Sequence, residues 1–92
     1  YQFSLLQNYP NPFNPSTVIK YYLPKSSYVK LDIYDYRGRH IKSLIDRESG
    51  PGLRQIEWNS KNDNGEKVAA GVYIYKIRTS DFIKSKKMIL LN

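Results

Sequence analysis

Hydrophobic and polar residues alternate along this chain from Thr17 onward, with the period of two that is typical of β-strands with one buried face. No window sustains the apolar spacing of a helix of ordinary length. Lys30 and Asp32 lie between apolar neighbours and are expected to face outward. Ile41, Leu44 and Ile45 follow on a less regular strand. The positions expected to face inward are Ile19, Tyr21, Leu23, Val29, Leu31, Ile33, Ile56, Trp58, Tyr73, Tyr75, Ile77, Met88 and Leu90.

Turn residues separate these apolar segments. Asp35-Tyr36-Arg37-Gly38 predicts a tight hairpin turn, and Gly50-Pro51-Gly52 is a strong break. Gly38, Gly65 and Gly71 are interpreted as positions where the backbone requires positive φ. Short strands at about ten-residue spacing predict an all-β protein, an immunoglobulin-like β-sandwich of about seven antiparallel strands. Residues 1–92 are expected to form a single domain.

The region before Thr17 is rich in proline and asparagine and cannot be helical. Leu5-Leu6 is long enough for a short edge strand. Pro10, Pro12 and the following Pro15 remove backbone donors and favour extended geometry. We expect an ordered corner in which Tyr9 and Phe13 supply apolar anchors.

The composition limits which functions are expected. The chain has 92 residues, no cysteine and a formal charge of +7, from 15 Lys and Arg against 8 Asp and Glu. A disulfide framework and a thiolate metal site are therefore excluded. The basic residues are dispersed, which favours a solvated surface but permits an anionic glycan or lipopolysaccharide as partner. No nucleic-acid-binding motif is present, so nucleic acid is not an expected partner. Because the chain begins at Tyr1, we expect it to be part of a larger exported protein.

Candidate chemical sites are weak. The polar stretch 59–65 has the spacing of a calcium loop, but Gly71 occupies the place of the bidentate carboxylate, which favours a turn. His40 is the only histidine, and no nucleophile elbow accompanies it. We therefore expect no enzymatic activity and no cofactor. Trp58 alternates with Ile56 and is interpreted as core rather than as a sugar platform. Outward tyrosines leave carbohydrate binding open as an alternative, namely Tyr22, Tyr34 and Tyr36.

Five short motifs in order resemble the C-terminal sorting domain of type IX secretion cargo. This family shares an immunoglobulin-like pattern with the C-terminal part of flagellar hook-capping proteins. Asn59 stands where the family usually has Asp, which keeps the turn chemistry and loses a charge. The motifs span nearly the whole chain, and they are Tyr9-Pro10-Asn11-Pro12-Phe13-Asn14-Pro15-Ser16-Thr17, Ile33-Tyr34-Asp35 with Gly38-Arg39, Trp58-Asn59 with Asp63-Asn64-Gly65, Gly71-Val72-Tyr73-Ile74-Tyr75 and Lys87-Met88-Ile89-Leu90-Leu91.

The resemblance implies a delivery role for a larger protein of the Bacteroidetes. Such a domain is recognised by the outer-membrane secretion machinery after its passenger has reached the periplasm, and the product is secreted or attached to the cell surface. Physically, a last strand at a sheet edge offers backbone groups for pairing with a partner. Lys86 and Lys87 would add charge to such pairing, and Met88 and Leu90 either add apolar anchors or fill the core. An accessory surface-binding module and a structural spacer remain the alternatives.

Overall fold

The computed structural model describes residues 2–91, which form two antiparallel sheets and contain no helix. The prediction of an all-β sandwich with about seven antiparallel strands is confirmed. This part of the chain therefore holds no helix that is long and apolar enough to cross a membrane. The strands are β1 (Ser4–Leu5), β2 (Thr17–Leu23), β3 (Ser27–Asp35), β4 (His40–Ser49), β5 (Gly52–Trp58), β6 (Gly71–Arg78) and β7 (Ile83–Leu90).

The two sheets have the orders β1-β2-β5 and β4-β3-β6-β7. Every strand pairs antiparallel with its neighbours. The last strand, β7, pairs with β6 from Gly71↔Leu90 to Arg78↔Ile83 and is an edge strand of the larger sheet. The chain's last described strand therefore lies at a sheet edge, the position in which its backbone groups can be open to a partner.

Alternate side chains of the strands meet between the sheets and form one core. Trp58 lies within it at 1% exposure, with its ring 5.9 Å from that of Phe13 and 5.4 Å from that of Tyr73. Its indole N–H donates to the Lys61 carbonyl at 2.9 Å, so the one polar atom of the ring is satisfied. The interpretation of Trp58 as a core residue is confirmed. The buried apolar residues are Phe3, Leu5, Phe13, Ile19, Tyr21, Leu23, Val29, Leu31, Ile33, Ile45, Trp58, Tyr73, Tyr75, Ile77, Met88 and Leu90.

Three apolar strand residues lie at the margin of the core. Ile41, Leu44 and Ile56 are partly buried and pack against the core from its margin. The pairing of β3 with β4 shifts register between Leu31 and Asp32 and again between Ile33 and Tyr34. Such irregularities interrupt the strict alternation of faces along β4.

Two sequence-based expectations are wrong. Asp32 does not face solvent, because it is 2% exposed and lies 3.2 Å from His40 Nε2. Tyr9 is not an apolar anchor, because it is 80% exposed, whereas Phe13 at 2% fulfils that role. Alternation assigns a residue to a face of the sheet, but it does not say whether neighbouring side chains cover that face.

The hairpin between β3 and β4 is built by Asp35 and Gly38. Asp35 Oδ1 accepts hydrogen bonds from the backbone N–H groups of Arg37 and Arg39, each at 2.9 Å. Gly38 has φ of 84°, and Gly65 and Gly71 have φ of 81° and 149°. The prediction that these glycines occupy positive-φ positions is confirmed.

Candidate functional site

The outer edge of β7 is the candidate site, because part of its backbone has no neighbouring strand to pair with. Residue Ile89 turns both its N–H and its C=O away from β6. Since bonding alternates along an antiparallel pair, the odd-numbered residues of β7 turn outward and the even-numbered residues bond to β6. Residues 83, 85, 87 and 89 therefore direct their N–H and C=O groups towards the outer edge.

Residues 6–15, which we call the N-terminal segment, cover the end of this edge. Phe13 donates its N–H to the Ile89 carbonyl at 3.0 Å and accepts from the Leu91 N–H at 2.8 Å. Asn11 Oδ1 accepts from the Ile89 N–H at 2.9 Å, and Gln7 Nε2 donates to the Lys87 carbonyl at 2.8 Å. The Phe13–Leu90 contact is a parallel bridge, so the segment acts as a short additional strand. The backbone of residues 87–91 is thus largely occupied by the chain itself.

A buried polar network holds the N-terminal segment in this position. The Tyr75 hydroxyl accepts from the Asn8 N–H at 2.9 Å and donates to the Leu6 carbonyl at 2.7 Å. Asn8 Nδ2 donates to Thr17 Oγ1 at 2.9 Å, and the Thr17 hydroxyl donates to the Pro10 carbonyl at 2.8 Å. Burial raises the pKa of Tyr75 to about 12, despite the opposing hydrogen bond from the Asn8 N–H. The hydroxyl therefore stays protonated at neutral pH and can donate.

The remaining part of the edge, residues 83–87, is called the free edge here. The outward backbone groups of Ile83 and Ser85 and the Lys87 N–H show no partner among residues 2–91. Three lysines lie within this stretch, and none forms an ion pair with a described residue: Lys84, Lys86 and Lys87. The open backbone and the unpaired positive charges therefore coincide.

The four residues predicted to take part in recognition divide into two pairs. Lys87 is exposed and Lys86 is half-buried. Met88 and Leu90 are 0% and 2% exposed and belong to the core. The core alternative for these two side chains is the one that the structure supports. A recognition role for Lys86 and Lys87 stays a prediction.

The predicted structural residues of the proline-rich corner have different roles. The Pro10 carbonyl accepts from Asn8 and Thr17, and Phe13 bonds β7 and enters the core. Pro12 is exposed. Sequence reasoning missed Gln7, Asn8 and Asn11 as the residues that attach this corner to the rest of the molecule. Their proximity to several prolines, which lack an N–H, was the available signal that side chains complete the bonding.

The other sites considered from the sequence are turns and solvated surface. Asn62 Oδ1 accepts from the N–H groups of Asn64 and Glu66, each at 3.0 Å, so the 59–65 stretch forms a hydrogen-bonded turn as predicted. His40 lies with Nε2 3.2 Å from Asp32 and Nδ1 3.6 Å from Asp63. The two carboxylates face opposite ring nitrogens, so they do not converge on one metal position. Residues 2–91 hold no cluster of metal-ligating side chains.

The outward tyrosines do not form a continuous platform. Tyr34 is half-buried between Lys76, whose Nζ lies 5.3 Å from the ring centre, and His40, whose ring lies 5.6 Å away. Tyr36 is 67% exposed at the β3–β4 hairpin, and Tyr22 lies on β2 in the other sheet. Tyr9 lines a shallow cavity of about 400 Å³ together with Leu6, Gln7, Val18, Lys20 and Gln55.

The positive charge of the protein is mostly uncompensated. Among the described Lys and Arg residues, ion pairs are formed by Lys25 with Asp81, Arg39 with Asp35 and Lys42 with Asp63. The other basic side chains have no carboxylate within the 4 Å range of an ion pair in residues 2–91. The surface is therefore suited to an anionic partner.

Several solved structures share this fold. A structure of dimeric latent PorU from Porphyromonas gingivalis matches 95% of this chain and 9% of its own length, with 22% identity and a TM-score of 0.77. PorZ from the same organism, described as a surface component of the type IX secretion system, matches 97% of this chain and 12% of its own, with 19% identity and a TM-score of 0.64. FlgD from Xanthomonas campestris matches 95% and 64%, with 20% identity and a TM-score of 0.66.

These identities support a common fold, and the chain spans about a tenth of the length of the two Por structures. No curated protein sequence matches the chain. The model of the FlgD Ig-like domain family matches residues 14–81, which include β2 to β6 in full. With the two-sheet architecture described above, this match confirms the predicted immunoglobulin-like fold, and the chain belongs to the FlgD Ig-like domain family.

Proposed function

We propose that this module is a non-catalytic C-terminal handle that directs a larger protein to type IX secretion and cell-surface attachment. The observation that carries the proposal is the position of the last strand at a sheet edge. Its side chains Met88 and Leu90 are buried in the core, and the outward backbone groups of residues 83–86 and the Lys87 N–H have no partner among residues 2–91. A secretion system that handles unrelated passengers needs a constant folded feature to recognise. A strand edge offers such a feature, because pairing uses main-chain groups and tolerates different passengers.

Two further observations support this role. The fold is shared with PorU and with PorZ, and the latter is described as a component of a type IX system. The ion pairs present leave most basic side chains free, which suits the anionic surface of an outer membrane as the destination. In this proposal the partners are the outer-membrane secretion machinery and a covalently linked upstream passenger, and the route passes through the periplasm. Neither nucleic acid nor a cofactor takes part.

The proposal is tested by fusing residues 1–92 behind a fluorescent protein that carries a signal peptide. The fusion is expressed in a host with a type IX system and in the same host with that system deleted. We expect surface or extracellular fluorescence in the first host and periplasmic retention in the second. A fusion that carries a stable immunoglobulin-like domain of unrelated sequence is the matched control. Equal retention of both fusions in the first host would refute the sorting role.

A second candidate function is binding of a surface glycan. The specific observation in its favour is Tyr9, an aromatic ring that is 80% exposed beside a shallow cavity with Leu6 and Lys20. A ring in this position can stack on a sugar face. Glycan-array binding by the isolated protein that disappears in Tyr9→Ala would favour this function. A structural spacer role, as expected for a relative of flagellar hook proteins, would give neither export nor glycan binding.

A further inference from the structure

The free edge of β7 borders a cavity that the proposed function does not explain. The cavity has a volume of about 460 Å³ and is lined by Gln2, Phe3, Pro24, Phe82 and Lys84. The rings of Phe3 and Phe82 stack with their centres 4.7 Å apart, and Phe82 is 37% exposed. An apolar pocket therefore opens beside the unpaired backbone of residues 83–87.

This combination matches the way in which an extended peptide adds to a sheet. Main-chain hydrogen bonds to the open edge supply affinity, and a pocket for a side chain of the peptide supplies specificity. Lys84 lines the cavity, so the cavity lies on the face of β7 that carries its even-numbered side chains. A side chain of the added strand on the same face would contact the stacked rings of Phe3 and Phe82. On the other face Ile83, which is 68% exposed, offers a second apolar contact.

The added strand cannot extend to the end of β7. Phe13, Asn11 and Gln7 already bond the backbone groups of Leu91, Ile89 and Lys87. The available stretch begins at Ile83 and ends at the Lys87 N–H. The partner therefore pairs over about five residues and abuts the N-terminal segment.

The charges around the free edge decide what kind of strand can bind. Lys84 and Lys86 lie on one face of β7 and Lys87 on the other, and none has a carboxylate partner among the described residues. The β6 residues opposite Ser85 and Ile83 are Lys76 and Arg78, which add positive charge. Antiparallel pairing of two copies through β7 would bring the lysines of one copy opposite the lysines of the other, which is destabilising. A strand that carries carboxylates is favoured instead.

We propose that residues 83–87 bind an extended acidic segment of a different protein as an additional strand, with one of its apolar side chains in the Phe3–Phe82 cavity. This inference rests on the proposed function and deepens it, because it states the chemistry of the partner that recognises the module. Its structural basis is an open edge, an adjacent pocket and unpaired lysines in the same place.

The direct test uses two blocked synthetic peptides and the isolated protein. The first peptide alternates glutamate with valine and has phenylalanine at its centre, and the second has lysine in place of each glutamate. Affinity is measured by calorimetry and the binding position by amide chemical shifts. We expect the acidic peptide to bind and to shift the amides of Ile83, Ser85 and Lys87, and the basic peptide not to bind. Absence of binding by the acidic peptide, or shifts confined to β4 or β5, would overturn the inference.

Proline substitutions test the backbone pairing itself. Ser85→Pro removes an N–H that points away from β6, so the bonds of β7 to the sheet are retained. Gln55→Pro is the matched control, because Gln55 is exposed and its N–H points away from β2 at the edge of the smaller sheet. We expect Ser85→Pro to raise the Kd of the acidic peptide at least about ten-fold, since a main-chain bond and close approach are lost. Gln55→Pro should leave the Kd within about two-fold, because no contact is removed. Equal effects of the two substitutions would contradict strand addition.

A charge reversal gives a readout that does not depend on proline. The triple variant Lys84→Glu, Lys86→Glu and Lys87→Glu should prefer the basic peptide over the acidic one. Unchanged preference would exclude the lysines from the recognition. Unfolding monitored by the fluorescence of Trp58 establishes that each variant is folded.

The export assay separates this inference from the proposed function. If the wild-type fusion is exported and the Ser85→Pro fusion is exported equally well, the free edge is not the recognised feature and the sorting role stands. If the wild-type fusion is retained, the sorting role fails, and the peptide measurements decide the strand addition independently.

Discussion

The Tyr75 hydroxyl is a single group that joins the N-terminal segment to the larger sheet, and its removal should destabilise the protein strongly. The substitution Tyr75→Phe keeps the ring, which is 0% exposed, and deletes only the oxygen. That oxygen accepts from the Asn8 N–H and donates to the Leu6 carbonyl. Both backbone groups belong to the segment that covers the end of β7.

The magnitude follows from the surroundings of these two groups. Asn8 is 2% exposed, so its N–H finds no water when the hydroxyl is removed. A buried unsatisfied donor costs about 1–3 kcal/mol, and loss of the second bond adds about 0.5–1.5 kcal/mol. The expected loss in the free energy of unfolding is therefore about 1.5–4.5 kcal/mol. For a domain of this size each kcal/mol corresponds to roughly 4–8 °C in Tm.

Tyr73→Phe is the matched control. The Tyr73 hydroxyl donates to the Ala69 carbonyl at 2.6 Å, and Ala69 is exposed, so water can replace the bond. We expect a loss of about 1 kcal/mol. Both variants are measured by urea unfolding, with the fluorescence of the single tryptophan, Trp58, as the probe.

Amide exchange adds a local readout. The Ile89 and Leu91 N–H groups bond to Asn11 and Phe13, and their protection should fall in Tyr75→Phe more than in Tyr73→Phe. Equal unfolding free energies for the two variants would refute the argument that Tyr75 attaches the N-terminal segment. Unchanged protection of Ile89 would show that the segment is held by its other contacts.

The remaining predictions concern pH and backbone geometry. Burial raises the pKa of Tyr75 to about 12, above its value near 10 in the unfolded chain. The stability that Tyr75 contributes is therefore retained below pH 10 and lost as pH rises towards 12. Tyr75→Phe should flatten this alkaline decline, as measured by urea unfolding at a series of pH values. Desolvation raises the pKa of Asp35, but hydrogen bonds from Arg39 and Arg37 outweigh it, so the net pKa is lowered. Asp35 therefore contributes stability above pH 4 that is lost as pH falls through its folded pKa, and Asp35→Asn should show lower stability at pH 7 and a shallower acid transition than wild type. Gly38→Ala should destabilise by about 1 kcal/mol in urea unfolding, because φ is 84°. An added Cβ meets no atom, so the loss reports backbone strain rather than a steric clash, and no loss would contradict the turn assignment.

The strands and their inward faces follow from local chemistry. Side chains alternate across a strand, so Ile19, Tyr21 and Leu23 share a face whatever the rest of the chain does. Turn positions follow in the same way, because Gly38 reaches positive φ without the steric cost that other residues meet. These features were predictable from short windows of sequence.

Prediction failed where the environment of a side chain depends on distant parts of the chain. Tyr9 and Phe13 flank the same Pro-Asn-Pro stretch, yet one is 80% and the other 2% exposed. Tyr9 bridges only to nearby Val18, whereas Phe13 bridges to Leu90, more than seventy residues away, and packs against Trp58 in the core. Asp32 is likewise covered by neighbours that the pairing of β3 with β4 and β6 brings to it.

The amino-acid sequence alone specified an all-β sandwich, the positions of its turns and most of its core. It also specified that the last strand carries lysines. The tertiary structure decided which part of that strand stays open, because the N-terminal segment folds back and bonds residues 87–91. Local patterns specify the face of a side chain and the geometry of a turn. Which backbone groups remain unpaired depends on contacts between the two ends of the chain, and no short window contains both.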